Sequence, residues 1–82
     1  MARLNPKKLF KIGEVMRYSG LSRQTIHNYT MLGLISEEER TESGHRLYGE
    51  DVFDRLERIK ELRTTRKIRE LIEIFKLDDS GS

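Results

Sequence analysis

The 82-residue chain has no cysteine, no tryptophan and a single proline. Without cysteine there are no disulfide staples, no zinc–thiolate sites and no thiol nucleophile. With three Phe and three Tyr, the core must come mainly from Leu, Ile, Val and Met with these few rings. Apolar runs are only a few residues long, far short of the roughly 20 that a membrane helix needs. The basic start "MARLNPKKLF" lacks the apolar stretch and small-residue cleavage site of a secretory leader. These absences point to a cytoplasmic protein with no membrane partner. No glycine-rich phosphate loop, nucleophile elbow or pair of inward carboxylates is present, so no enzyme and no cofactor are expected. The two histidines, His27 and His45, stand eighteen positions apart and do not have the spacing of a metal site.

What is present is charge, unevenly spread. The net charge is only +2 and the isoelectric point about 9.1. Residues 1–36 hold six Lys or Arg against one Glu, and residues 37–54 hold seven acids against two Arg. A basic knot follows at Arg63, Arg66, Lys67 and Arg69. Basic regions that flank an acidic one are either solvated surface or a footprint for an acidic partner. In the knot, Glu70 and Glu73 also stand where they can pair with Arg66 and Arg69.

At this length one domain fits, burying only about 60% of its unfolded surface. Residues 1–9, broken by Asn5-Pro6, read as a flexible basic N-terminus. Ile12, Val15 and Met16 recur at helical spacing, predicting a helix over 12–19 that stops at Gly20. Ser22 sits where an N-cap belongs, and a second helix follows over 23–32 with Gly33 ending it. At 100° per residue, Arg23, Gln24, His27, Asn28 and Met31 share one face, and Thr25, Ile26, Tyr29 and Leu32 the other. "EEERTESGHRLY" carries a turn at Ser43-Gly44 and a brief strand over 45–48. Glu50 and Asp51 open a third helix, with Val52, Phe53, Leu56, Ile59 and Leu62 facing inward. Thr64-Thr65 offers a cap for a fourth, where Ile68, Leu71, Ile72 and Phe75 lie at i, i+3, i+4 and i+7. The domain is expected over 10–76, with 77–82 a disordered tail. Two short helices across a tight turn, the second polar outside, make a helix-turn-helix unit.

Together, "IGEVMRYSGLSRQTIHNYTMLGLI" and "RTESGHRLYGEDVFDRLERI" resemble the DNA-binding domain of MerR-type bacterial transcription regulators, over about residues 10–62. The most specific pieces are Ile12-Gly13-Glu14, the Gly20-Leu21-Ser22 turn, Tyr29 before Gly33-Leu34, and the run from Arg40 to Gly44 leading to Arg46-Leu47-Tyr48. The resemblance implies a mainly α, winged helix-turn-helix fold of four helices with a small β-hairpin wing, binding double-stranded DNA to regulate transcription. The second helix would enter the major groove, the hairpin over 40–48 would be one wing, and helices three and four a second.

On that reading Arg23, Gln24, His27 and Asn28 read base edges, because Arg suits guanine and Gln or Asn suits adenine. Ser22, Arg17, Arg40, Arg46, Tyr48, Arg63, Arg66 and Lys67 hold phosphates, while Gly20, Gly33 and Gly44 make turns. Tyr29 and Tyr48 also read as packing residues. The chain departs from the family where His27-Asn28-Tyr29-Thr30 replaces Arg-Tyr-Tyr-Glu. It departs again at His45, where an aromatic is common, and at "RTTRKIR", where a Gly-Phe-Ser linker is usual. The acids Glu37, Glu38 and Glu39 beside the wing are expected to be solvated and turned away from the groove. Members usually dimerise through a long helix after the fourth. The chain is therefore expected to be an excised domain or a small standalone relative, monomeric when isolated, with dimers in a full-length or DNA-bound form. Two further readings use the same fold: an excisionase-like architectural DNA-binding protein, and a protein-interaction module.

Overall fold

A computed structural model describes residues 8–80. The element order is β1 (Leu9–Lys11), α1 (Ile12–Ser19), α2 (Arg23–Met31), β2 (Glu39–Arg40), β3 (Arg46–Gly49), α3 (Asp51–Leu62) and α4 (Ile68–Ser80). The first helix begins where the Lys11 backbone N–H donates to Glu14 Oε1 at 2.8 Å, and it ends at Gly20, φ 77°. Ser22 caps α2, its Oγ accepting from the Thr25 N–H at 3.1 Å. Such a cap contributes about 1 kcal/mol. The two helices therefore meet across Gly20-Leu21-Ser22, the turn of a helix-turn-helix.

The strands form one antiparallel sheet in the order β1-β3-β2. Phe10 faces Tyr48 across β1 and β3, and Arg40 faces Arg46 across β2 and β3. The core joins all four helices to the sheet: Val15, Ile26, Leu34, Tyr48, Ile59, Leu71 and Phe75 are essentially inaccessible to solvent. Burying such side chains stabilises by about 1.5–3 kcal/mol each. A satellite of rings closes one end, with Phe53 packed edge-on to Phe10 at 5.0 Å and to Tyr18 at 5.9 Å.

Four expectations from sequence need correction. Leu9 is not part of a loose N-terminus but pairs with Gly49 in β1; residues 1–7 lie outside the described residues. Three residues carry too little pattern to announce a strand, and this one exists because β3 offers it a partner. Leu32 does not pack: it is 43% exposed, because it caps α2, its N–H donating to Asn28 O at 2.9 Å. The buried places pass to Leu34 and Ile35 beyond the turn.

The cap of α4 is not Thr64-Thr65. Thr64 Oγ1 donates back to Glu61 O at 2.7 Å, and Glu70 Oε1 accepts from the Lys67 N–H at 2.8 Å. Finally, residues 77–80 are helix rather than tail, with 81–82 outside the described residues. Asp78 pairs with Arg58 at 2.8 Å and Asp79 with Arg55 at 2.9 Å, fastening the last turn of α4 to α3.

Candidate nucleic-acid interface

Because Ile26 and Tyr29 are drawn into the core, α2 turns Arg23, Gln24, His27, Asn28 and Met31 to solvent. The wing rises beside it. Its turn is held by Thr41 and Gly44: the Thr41 N–H donates to His45 O, the Gly44 N–H to Thr41 O, both at 2.9 Å. Gly44 has φ 89°, in the left-handed region where a side chain is strained. The Cβ of a substituent would meet no atom within 4 Å, so strain alone is at issue. Gly44→Val is therefore expected to disorder the wing turn at a cost of about 1–3 kcal/mol and leave the helices in place. NMR shifts confined to residues 39–48 check this; an unmoved hairpin would contradict it.

Between α2 and the wing runs an open groove of about 1120 Å³. It brings together Arg17 from α1, Arg23, Gln24 and His27 from α2, and Gly44 and Arg46 from the wing. Asn28 adjoins the group through a bond from Gln24 Nε2 to its Oδ1, 3.0 Å long. Ser22, exposed at the start of α2, keeps its Oγ within residues 22–25, donating to Thr25 Oγ1 at 2.9 Å. Arg40 does not line the groove; its Nε lies 3.0 Å from Glu37 Oε2. Arg63 stands on the far side of α2, where its Nη1 donates to the Tyr29 hydroxyl at 3.3 Å. Arg66 and Lys67 are exposed between α3 and α4. Gly20 and Gly33 join Gly44 with positive φ, at 77° and 81°.

Tyr48 cannot serve as a phosphate contact. Its ring is fully buried and its hydroxyl lies 2.8 Å from Thr30 Oγ1. Thr30 donates its single proton to Ile26 O at 2.9 Å, so the Tyr48 proton must go to Thr30. The phenol ties β3 to α2 instead of facing DNA.

Glu37 is also not where the sequence suggested. It is half-buried and faces two wing cations, Arg40 and Arg46, with Oε1 3.3 Å from Arg46 Nε. That second contact is an ion pair without hydrogen-bond alignment, since Arg46 Nε is buried with no hydrogen-bond partner. A backbone hydrogen bond at residue 37 is the main cause holding the Glu37 carboxyl below the usual range. Burial opposes this, and Arg40, by hydrogen bond and charge, and then Arg46 reinforce it. Arg46 Nη2 reaches to 4.0 Å from Met31 Sδ, bringing the wing arginine against the end of α2.

Sequence reasoning missed Arg55 as well. Its Nε donates to Leu34 O at 2.8 Å, its Nη atoms take both Asp79 oxygens, and its guanidinium lies 4.0 Å from the Phe75 ring centroid. One side chain thus fixes the exit of α2 to α3 and α4. Nothing local marks it, since its partners lie 21 and 24 residues away.

The sequence profile described as MerR family regulatory protein matches residues 11–48, covering α1, α2 and the wing. The mercuric resistance operon regulatory protein of Bacillus cereus is 39% identical over 75 residues, or 87% of this chain and 57% of that protein. The chain carries a MerR-family domain. Among solved structures, the N-terminal part of MtaN, the Bacillus subtilis multidrug transporter activator, superposes with a TM-score of 0.75 at 27% identity. That match covers 80% of this chain and 63% of that one. A MerR-family transcriptional regulator from Bacillus cereus shares the fold, with a TM-score of 0.73 at 23% identity over 83% of this chain and 52% of its own. The chain thus spans little more than half the length of the mercuric regulator. Its MerR-type domain is a winged helix-turn-helix, and among the described residues no helix is long and apolar enough to cross a membrane.

Proposed function

We propose that this MerR-type domain binds double-stranded DNA in transcription control in the cytoplasm, with α2 in the major groove and the wing over the neighbouring backbone. One observation carries the reading: polar side chains of α2 able to pair with base edges share one open groove with a wing cation, Arg23, Gln24 and His27 lining it with Gly44 and Arg46. A helix about 10–12 Å across fits a major groove about 12 Å wide. Arg17, Arg40, Arg46, Arg63, Arg66 and Lys67 then supply phosphate contacts, which set position and carry no base information. The regulatory names of the relatives agree with this use. One copy covers one half-site, and joining two copies raises effective concentration and tightens binding where the half-sites lie on one face at multiples of about 10 bp.

The test selects bound duplexes from a random pool, then measures alanine variants against the selected site and its single-base variants. Arg23→Ala and His27→Ala are each expected to lose about 1–3 kcal/mol of discrimination at a narrow set of base pairs. Arg46→Ala is expected to weaken all sequences alike. If neither α2 variant shifts base preference, α2 is not the reader. Binding that ignores salt would remove DNA and leave a protein-interaction module. Bending of a long multi-site DNA would favour the architectural role.

A further inference from the structure

The side-chain amides of Gln24 and Asn28 are not independent. They stand one helical turn apart on the exposed face of α2, and Gln24 Nε2 donates to Asn28 Oδ1 at 3.0 Å. We propose that the two read DNA as one coupled unit, in which Asn28 sets the Gln24 amide to recognise adenine and itself presents donors to a nearby guanine or thymine. This rests on α2 being the reading helix.

The hydrogen-bond inventory gives the assignment. A free glutamine amide has two acceptor lone pairs and two N–H groups, and its terminal torsion is roughly two-fold, so either order can face a base. The bond to Asn28 uses one Nε2 proton and fixes which side the nitrogen occupies. Oε1 and the second Nε2 proton remain free. That pair matches the major-groove edge of adenine, whose N6 donates and whose N7 accepts.

Asn28 is changed in the opposite sense. Its carbonyl is engaged by Gln24, while both Nδ2 protons remain available. One Oδ1 lone pair stays open, but with Oδ1 turned toward Gln24 the edge left for a base is rich in donors, which suits the O6 and N7 of guanine or the O4 of thymine. Four residues of helix advance about 6 Å, less than two base steps of about 3.4 Å, so both amides fall within one short stretch of operator. His27 lies between them in sequence and lines the same groove as Gln24.

The experiment is a double-mutant cycle read base by base. The unmodified chain, Gln24→Ala, Asn28→Ala and the double variant are titrated onto the selected site and all its single-base variants, with melting curves confirming that each is folded. Gln24→Ala is expected to lose about tenfold of preference for one adenine. Asn28→Ala should relax its own position and also lower that adenine preference about threefold or more, a base it does not touch. The double variant should then be no worse at the adenine than Gln24→Ala alone. Asn28→Asp keeps the acceptor and removes the donors, so it should retain the adenine preference while losing Asn28's own.

Additive effects, each confined to its own position, would overturn the coupling, as would a Gln24-dependent preference for any base other than adenine. Arg23→Ala and His27→Ala separate the two failures. If they shift base preference while the Gln24 and Asn28 effects are additive, α2 reads DNA and only the coupling is wrong. If all four positions leave preference unchanged, α2 is not the reader and the coupling falls with it.

Discussion

Phe75→Ala is expected to destabilise the domain by about 3–5 kcal/mol, the usual cost of deleting a buried ring. A domain of this size has a total stability of roughly 0.05–0.15 kcal/mol per residue, so the variant should stand at the edge of unfolding. The ring is 1% exposed, and the guanidiniums of Arg55 and Arg58 lie 4.0 and 5.1 Å from its centroid. Losing it opens a cavity beside Leu71 and removes the surface on which Arg55 rests while it holds Leu34 O and Asp79. The two cation–π contacts, of about 0.5–2 kcal/mol each, place the loss toward the upper end of the range for a buried ring. Urea unfolding measures the effect, with Leu77→Ala as reference because Leu77 is 69% exposed on the same helix. If Phe75→Ala shifts the midpoint no more than Leu77→Ala, α4 does not unfold with the rest and is not part of the cooperative unit.

The same helix shows where sequence was legible and where it was not. Ile68, Leu71, Ile72 and Phe75 announced α4 by their spacing, because packing one face against a core repeats every three or four residues. What holds its far end does not repeat. Asp78 and Asp79 look like a solvated acidic tail until Arg58 and Arg55 are placed opposite them, and nothing near either arginine records that meeting. The turns at Gly20, Gly33 and Gly44 were visible because backbone with positive φ favours glycine locally. Leu9 in β1 was hidden, since a three-residue strand is decided by its neighbour in space.

The site divides along the same line. The polar row of α2 was readable from helical geometry alone. The packing role read for Tyr48 holds and its phosphate role does not, because alternation along the strand could not show Thr30 beside its hydroxyl. Glu37 was misread because three acids in a row resemble solvent-facing surface. Only the fold shows that the first of them turns inward between two arginines.

That position makes Glu37 a lever on the proposed DNA binding that lies outside α2. If the domain binds duplex as proposed, seven side chains set its ionic contact with phosphate: Arg17, Arg63, Arg66 and Lys67, and the wing trio of Glu37, Arg40 and Arg46. The trio carries a net charge of one, so about five cations act together. Counterion release then gives log affinity against log salt a slope of about −4.5, from −0.9 per neutralised phosphate. Raising salt from 50 to 200 mM should weaken binding roughly five-hundredfold. Glu37→Gln frees the sixth cation. It should steepen the slope by about one and tighten binding to every duplex at low salt without changing base preference.

The sign with pH is fixed by the lowered carboxyl. A depressed folded-state value means that Glu37 contributes stability above its unfolded value, and that this is lost only as pH falls through the folded one. The tether is therefore complete in any assay near neutrality, and the variant reports on it cleanly there. Binding isotherms at four or five salt concentrations for the two proteins decide the matter. Equal slopes would mean that Arg40 and Arg46 already leave Glu37 when DNA arrives, or never reach phosphate, and in either case the wing is not held in check by its own carboxylate.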